Sequence, residues 1–360
     1  MRILLLAHGP SIHTRRWAEA LRARGHEIRV LTAYPAENLT VPARVVGSPL
    51  PIHALRYLSA LGAVRSELRA MKPDVTVAHF LPNYGLLAAL APARPFALAC
   101  WGSDLLVNAW RSPLHRARAR YVLRRAALIH VDARVLGEAA AALGAPAERI
   151  WTKAWGVDEE MLAAKPEDRA PRAAGGPVRI LWTRMLEPIY DPGTFLRALG
   201  ILKRQGVAFH ASIAGDGPMR AGLTRMAREE GIESFVRFEG FVPAARLRAL
   251  LLEADLYVSL SLSDSTSQSL LEAMAAGAFP IVSDIAGNRE WVTHRREGYL
   301  VPTGDADAVA CAIAEARRDP SAAAIMGRAR AAVLARGRFA DTVAELEQRL
   351  LALVRGAGGR

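Results

Sequence analysis

Cysteine is almost missing: the 360 residues hold two, Cys100 and Cys311. They lie far apart, each inside an apolar run, which excludes a disulfide-stapled secreted scaffold and reads as two buried free thiols in a reducing compartment. Unbroken hydrophobic runs are missing too. The most apolar long stretch, Tyr84 to Trp101, is interrupted by Pro92, Arg94 and Pro95. That excludes a clean membrane span and reads as a helix followed by a strand. Met1 to Ala7 meets His8-Gly9-Pro10 too soon for a signal peptide and reads as a first strand. Repeats and low-complexity tracts are absent. No zinc-finger, helix-turn-helix or RNP-like pattern accompanies the positive charge, so nucleic acid is not an expected partner.

What is present is enough apolar material for two cores. Hydrophobic residues make up 51% and mean hydropathy is +0.11, and the length suggests two domains. The net charge is +12, unevenly placed. Residues 1–175 hold 24 Lys/Arg against 14 Asp/Glu, a balance of +10, and residues 176–360 carry the remaining +2. One domain alone is therefore expected to face an anionic surface. The basic residues concentrate in Arg111 to Arg125, RSPLHRARARYVLRR, where Arg116, Arg120 and Arg124 share a helix face. Such a run is either a solvated face or a patch for anionic lipid or a lipid-linked diphosphate.

Strands and helices alternate from the start. Arg2–Ala7, a helix with Trp17 and Leu21 inward that Gly25 ends, and Ile28–Thr32 make a βαβ opening, which predicts a parallel sheet. Further strands over Asp74–His79, Phe96–Trp101, Leu128–Asp132 and Arg149–Ala154 deliver His79, Trp101-Gly-Ser-Asp104 and Gly156-Val-Asp158 to one rim, where open α/β sheets bind ligands. Lys165 to Pro177 reads as a linker. A second series follows, with strands over Val178–Thr183, Ala208–Ala214, Val236–Glu239 and Leu256–Leu260. Phe339 to Val354 has helical periodicity.

The most informative stretch is Leu260 to Trp291. An apolar strand gives way to Ser263-Asp-Ser-Thr-Ser267, then to a helix with Leu270, Leu271, Met274 and Ala275 on one face, a stop at Gly277, and a strand over Phe279–Val282. A run of small polar residues at a helix start aims backbone N–H groups and the helix dipole at one point, which suits a phosphate. Glu272, eight residues after Asp264, offers a carboxylate for vicinal hydroxyls. The plainer alternative is an ordinary N-cap by Asp264 or Ser267 with Glu272 solvated.

Asp264-x7-Glu272 followed by LLEAMAAGAFPIVSD and Asn288-Arg-Glu290 resembles the E-x7-E signature of retaining glycosyltransferases of family 4. RGHEIRVLT near the N-terminus, WGSD at 101–104, GVD at 156–158, AGDGP at 214–218, FEGFV at 238–242 and VPTGD at 301–305 extend the resemblance over nearly the whole chain. It implies an α/β chain of GT-B fold, two Rossmann-like domains facing each other across a cleft. Residues 1–170 would bind the acceptor, 176–335 the nucleotide sugar, and 336–360 would form a helix crossing back to the first domain. It also implies hexose transfer with retention from a nucleotide diphosphate sugar to an acceptor hydroxyl, in polysaccharide, glycolipid or other glycoconjugate synthesis. No metal and no cofactor beyond the co-substrate is expected; Asp305-Ala-Asp307 reads as a helix cap rather than a metal motif.

By the same resemblance Arg184 binds the donor diphosphate, although the lysine that accompanies it in the family is missing: the segment runs Arg184-Met-Leu-Glu187-Pro-Ile-Tyr190. Asp264, one methylene shorter than the usual glutamate, contacts the donor sugar, and Glu272 holds the ribose. Backbone N–H groups of Ser265, Thr266 and Ser267 hold phosphate. Gly215 and Gly217 permit close backbone approach, Asp216 between them is a further donor-binding residue, and Phe241 and Val242 seat the base. Gly9, Ser11, His13, Arg16, His79, Trp101 and Asp104 form the acceptor side, with Trp101 where many relatives carry a histidine. Asp104 reads either as an N-cap or as a ligand of an acceptor hydroxyl, with the ligand preferred. A cytoplasmic protein is expected, with the basic helix able to meet the inner membrane face. The other readings are a nucleotide-sugar hydrolase or epimerase on the same fold, and a non-catalytic binding protein.

Overall fold

A computed structural model describes residues 1–37, 39–47, 57, 59–163 and 176–358. Its contacts divide into two units, Met1–Ala154 with Ala340–Arg360, and Trp155–Phe339. The division falls at 154/155. Of the expected linker, 165–177, only residues 176 and 177 are among those described.

Among the described residues, the first unit holds a parallel sheet of seven strands: β1 (Arg2–Leu6), β2 (Glu27–Thr32), β3 (Ala43–Val45), β4 (Val75–His79), β5 (Phe96–Ala99), β6 (Leu128–Val131) and β7 (Ile150–Thr152), in the order β3-β2-β1-β4-β5-β6-β7. The second holds six: β8 (Val178–Trp182), β9 (Phe209–Ile213), β10 (Val236–Phe238), β11 (Leu256–Ser259), β12 (Phe279–Ser283) and β13 (Tyr299–Val301), in the order β10-β9-β8-β11-β12-β13. Both sheets are parallel throughout. Helices cover such sheets, so central strands are buried on both faces and read as unbroken apolar runs; β4 and β12 are buried at every position. These are the two Rossmann-like domains expected. The strand order reverses between β1 and β4 in one sheet and between β8 and β11 in the other, and such switch points are where this architecture binds ligands.

The structure departs from expectation at the edges. Strands β3 and β13, of three residues each, are not among the strands expected from the sequence. Cys100 is buried, but Cys311 is exposed, on the outer face of the Ala306–Ala316 helix. That helix is so rich in alanine that its sequence does not announce which side faces water.

The Phe339–Gly358 helix begins where the second unit ends and belongs from Ala340 onward to the first. Thr342 Oγ1 donates to the Ala154 carbonyl at 2.8 Å, and Trp151 Nε1 donates to Glu345 at 2.6 Å. Glu347 takes Arg24 Nε at 2.7 Å and lies 2.8 Å from His26 Nε2.

Candidate active site

The second unit gathers its polar residues at the switch point. Arg184 follows β8 and Asp264 follows β11. Arg184 Nη2 donates to Asp264 Oδ2 at 2.6 Å, while Nη1 donates to Ser267 Oγ at 2.8 Å and to Ser269 Oγ at 3.3 Å. The ring of Tyr190 lies beneath the guanidinium, 4.2 Å from its carbon. Behind it, the hydroxyl of fully buried Tyr257 meets Ser269 Oγ at 2.8 Å. Burial opposes the charge on Arg184, but Asp264 and the two tyrosines outweigh it, and the guanidinium pKa is raised. The cation is therefore fixed in place, with four groups restricting it.

Local sequence explains the placement. Trp182 stacks on Phe195 and donates its indole N–H to the Arg184 carbonyl at 3.0 Å. Leu186 N–H donates to the Asp216 carbonyl, also at 3.0 Å. A Cβ at Gly215 would overlap the Arg184 carbonyl, and one at Gly217 (φ 159°) the Leu186 carbonyl. The close approach these glycines allow is thus to the chain's own backbone, in place of the ligand expected there. Asp216 accepts from Gly217 N–H at 2.8 Å and pairs with Arg220 at 3.3 Å. Glu187 is half-buried, directly before the turn that carries Tyr190.

Ser267 is the N-cap of the Gln268–Ala276 helix, its hydroxyl accepting from Leu270 N–H as well as from Arg184. Ser265 N–H, expected to hold phosphate, donates to the Asp264 carboxylate at 2.9 Å. Thr266 Oγ1 accepts from Trp291 Nε1 at 3.4 Å, and a Cβ on Gly287 would overlap the Ser265 carbonyl, so this loop is seated on the segment after β12. Glu272 is half-buried one helical turn beyond Gln268, whose amide bridges it at 3.4 Å to the Gly156 carbonyl at 2.9 Å. Phe241 is 74% exposed beside half-buried Val242, at the same rim.

In the first unit, Ser11 caps the Ile12–Ala23 helix and accepts from His13 N–H at 3.2 Å. Trp101 lies edge-on to both His13 (5.6 Å between ring centroids) and His79 (5.8 Å). Burial, reinforced by Arg16, lowers the His13 pKa to about 4. Burial, reinforced by His130 and His13, lowers that of His79 to about 3. His130 (about 4, again chiefly from burial) stacks on Trp151 at 4.3 Å. Phe80, next to His79, has φ 71°, a conformation bulky residues rarely adopt and one that collects at functional sites.

Two first-unit expectations need correction. Asp104 is fully buried. Its Oδ1 accepts from the N–H groups of Trp101, Gly102 and Leu105 and its Oδ2 from Leu81, at 3.0–3.1 Å. Burial raises its pKa against those four bonds. It shapes the loop and is not presented to an acceptor hydroxyl. Gly9 is buried, and a Cβ there would crowd Thr32 and Ala36, so its smallness serves the packing of β1 on β2.

Sequence reasoning missed Ser269 and Tyr257. Ser269 stood in plain view, two residues past Ser267 in the polar run, whereas Tyr257 sits inside an apolar strand and reads as core. Asp305 caps its helix, accepting from Ala308 N–H at 2.8 Å. Among the described residues no three His, Cys, Asp or Glu side chains group as a metal site, and no helix is long and apolar enough to cross a membrane.

Residues 8–153 match the family model "Glycosyl transferase 4-like domain" and residues 165–332 the model "Glycosyl transferases group 1". The chain is 34% identical over 175 residues to amylovoran biosynthesis glycosyltransferase AmsK of Erwinia amylovora, an alignment covering 47% of this chain and 42% of AmsK. It is 31% identical over 268 residues to the putative colanic acid biosynthesis glycosyltransferase WcaL of Escherichia coli K12, covering 70% of this chain and 63% of WcaL. The chain thus spans less than two thirds of either relative. The crystal structure of Anabaena HepE in complex with UDP-glucose superposes with a TM-score of 0.77 at 20% identity, over 99% of this chain and 100% of that one.

Proposed function

Each of its two domains matches a glycosyltransferase model and each is a Rossmann-like parallel sheet, so the chain belongs to the GT-B glycosyltransferases; from that premise we propose that it transfers a hexosyl group, with retention of configuration, from a nucleotide diphosphate sugar to an acceptor hydroxyl. The observation that carries the reading is Arg184, fixed at the β8/β11 switch point by Asp264, Ser267, Ser269 and Tyr190. A preorganised cation in a partly dry site stabilises charge growing on a leaving phosphate without having to reorganise.

In this reading Arg184 faces the departing diphosphate, helped by the dipole of the Gln268–Ala276 helix, and that charge supply serves in place of a metal ion. Asp264 orients the sugar while holding Arg184, Glu272 takes the ribose hydroxyls, and exposed Phe241 offers its face to the base. The departing phosphate takes the acceptor proton on the face it leaves. No cofactor is proposed beyond the co-substrate. On the first domain, His13, His79 and Trp101 line the acceptor side; both histidines are held neutral, so they act as hydrogen-bonding groups. HepE, solved with UDP-glucose, supports a hexose donor. The names of AmsK and WcaL support an acceptor in polysaccharide synthesis. We place the reaction in the cytoplasm, at the inner membrane face.

The test is a thermal-shift and turnover screen across UDP-, GDP- and ADP-sugars, with NMR of the product's anomeric proton. One nucleotide class should stabilise the protein, and the product should keep the donor's configuration. If no nucleotide diphosphate sugar raises the melting temperature, the proposal fails.

A further inference from the structure

The Arg111–Arg125 segment offers more than a charged stripe. No acidic residue occurs between Asp104 and Asp132. Among the described residues, no carboxylate pairs with Arg111, Arg116, Arg118, Arg120, Arg124 or Arg125. Two of them lie instead over aromatic rings, Arg116 over Trp110 at 4.8 Å and Arg125 over Tyr121 at 3.6 Å. Large apolar side chains stand among these cations: Leu114 is 77% exposed and Trp110 43%.

Between the Pro113–Arg125 helix and the short Leu86–Leu90 helix is a groove of about 420 Å³, within the usual size range of small-ligand clefts. Leu86, Leu90, Leu114, Ala117 and Tyr121 line it, together with two polar side chains, His115 and Arg118. The Arg118 Nε is buried and has no hydrogen-bond partner among the described residues, and burial lowers the guanidinium pKa. A cation taken partly out of water with no counter-charge is costly, and an anion offsets that cost. Largely apolar walls with a half-buried cation among them match a molecule that is a hydrocarbon chain at one end and an anion at the other. A second copy of this chain would bring its own arginines against these six, and like charges oppose such a contact.

Position adds to chemistry. The Leu86–Leu90 helix follows β4 and His79 through the Phe80–Gly85 turn, and the arginine helix follows β5 and Trp101 through the Ser103–Leu106 turn. Both walls therefore leave the rim that carries the candidate acceptor residues. We propose that the groove holds one acyl chain of an anionic phospholipid, with its phosphate on Arg118, so that the first domain docks on a bilayer beside its acceptor rim. The proposal deepens the membrane-face part of the functional reading and rests on it.

The experiment titrates the full chain with dihexanoylphosphatidylglycerol below its micelle concentration, following tryptophan fluorescence and heat. The comparison ligands are dihexanoylphosphatidylcholine, glycerol phosphate and an acidic peptide. Saturable binding of the phosphatidylglycerol is expected, at least tenfold tighter than any of the three, and weakened at least tenfold by Arg118→Gln and by Leu114→Asn, with Arg118→Lys recovering part of the loss. Leu114 is so exposed that its variant carries the test even if Arg118→Gln fails to fold. Equal binding of glycerol phosphate or of the peptide overturns the proposal, as does no saturable binding or a shift to dimers. Nucleotide-sugar turnover is measured on the same samples. Lipid binding without turnover would sink the enzymatic reading and leave the groove standing; turnover without lipid binding would do the reverse.

Discussion

Arg184 and Asp264 join the loop after β8 to the loop after β11, Nη2 to Oδ2 at 2.6 Å, across the line where the second sheet reverses its strand order. Neither side chain is more than 18% exposed. An arginine fork suits this role because it can serve a carboxylate and two hydroxyls at once, which a lysine ammonium cannot do in the same plane.

Arg184→Ala is expected to lower kcat by roughly 10²–10³-fold, the cost typical of removing one preorganised donor to a developing negative charge. Arg184→Lys should recover only part of that. Steady-state kinetics with the donor identified by the screen will decide; a kcat within threefold of wild type for the alanine variant would remove Arg184 from the chemistry.

Glu272→Ala should weaken donor binding. Charge-assisted hydrogen bonds are worth about 1.5–3 kcal/mol, so affinity should fall by roughly one to two orders of magnitude. Calorimetry with the nucleotide diphosphate alone is the measurement. Unchanged affinity would show that Glu272 does not hold the ribose.

Transfer should persist in excess EDTA, because the proposed positive charge at the diphosphate comes from Arg184 and a helix start. Loss of activity on chelation, restored by manganese or magnesium, would overturn this.

The first domain should lose stability in acid. His13, His79 and His130 have folded pKa values of about 4, 3 and 4, below the ordinary 6.5. The unfolded chain then takes up protons that the folded one refuses, so the contribution is complete above pH 6.5, declines as pH falls from 6.5 to about 3, and levels off below. Urea denaturation between pH 7.5 and 4 will measure the slope. His79→Asn and His130→Asn should each flatten it, and an unaltered slope in both would contradict the assignment.

Gly215→Ala should damage the site, since the new Cβ would overlap the Arg184 carbonyl. Gly222→Ala, in the Arg220–Glu229 helix with nothing near the added carbon, should be neutral or stabilise by about 0.5–1 kcal/mol. Parallel melting curves and donor affinities will compare them. Equal behaviour of the two would mean that the loop after β9 does not position Arg184.

Much of the fold is legible because a parallel sheet under helices demands unbroken apolar strands, and β1, β4, β11 and β12 supply them. The Ser267 cap and the carboxylate of Asp264 are legible for a related reason: small polar residues between strand and helix have few other uses. Direction is what sequence withholds. Trp101-Gly-Ser-Asp104 reads the same whether the carboxylate faces a ligand or, as here, four backbone N–H groups. Gly9, Gly215 and Gly217 announce a close approach without saying to what, and in each case it is to the chain itself. Tyr257 carries its hydroxyl into the site from a strand that reads as pure core, because the partner, Ser269, is supplied by a different element.

The helix at Phe339–Gly358 has a consequence for how the molecule is made. Trp151 finds Glu345 across 194 positions and His26 finds Glu347 across 321, so the first domain leaves the ribosome with partners still untranslated. The second, contiguous from Trp155 to Phe339, has all its own contacts in hand as soon as it emerges. Contacts of such separation are paid for late in folding, and domains generally close as units during synthesis. The order in which the two domains are completed is therefore the reverse of the order in which they are begun.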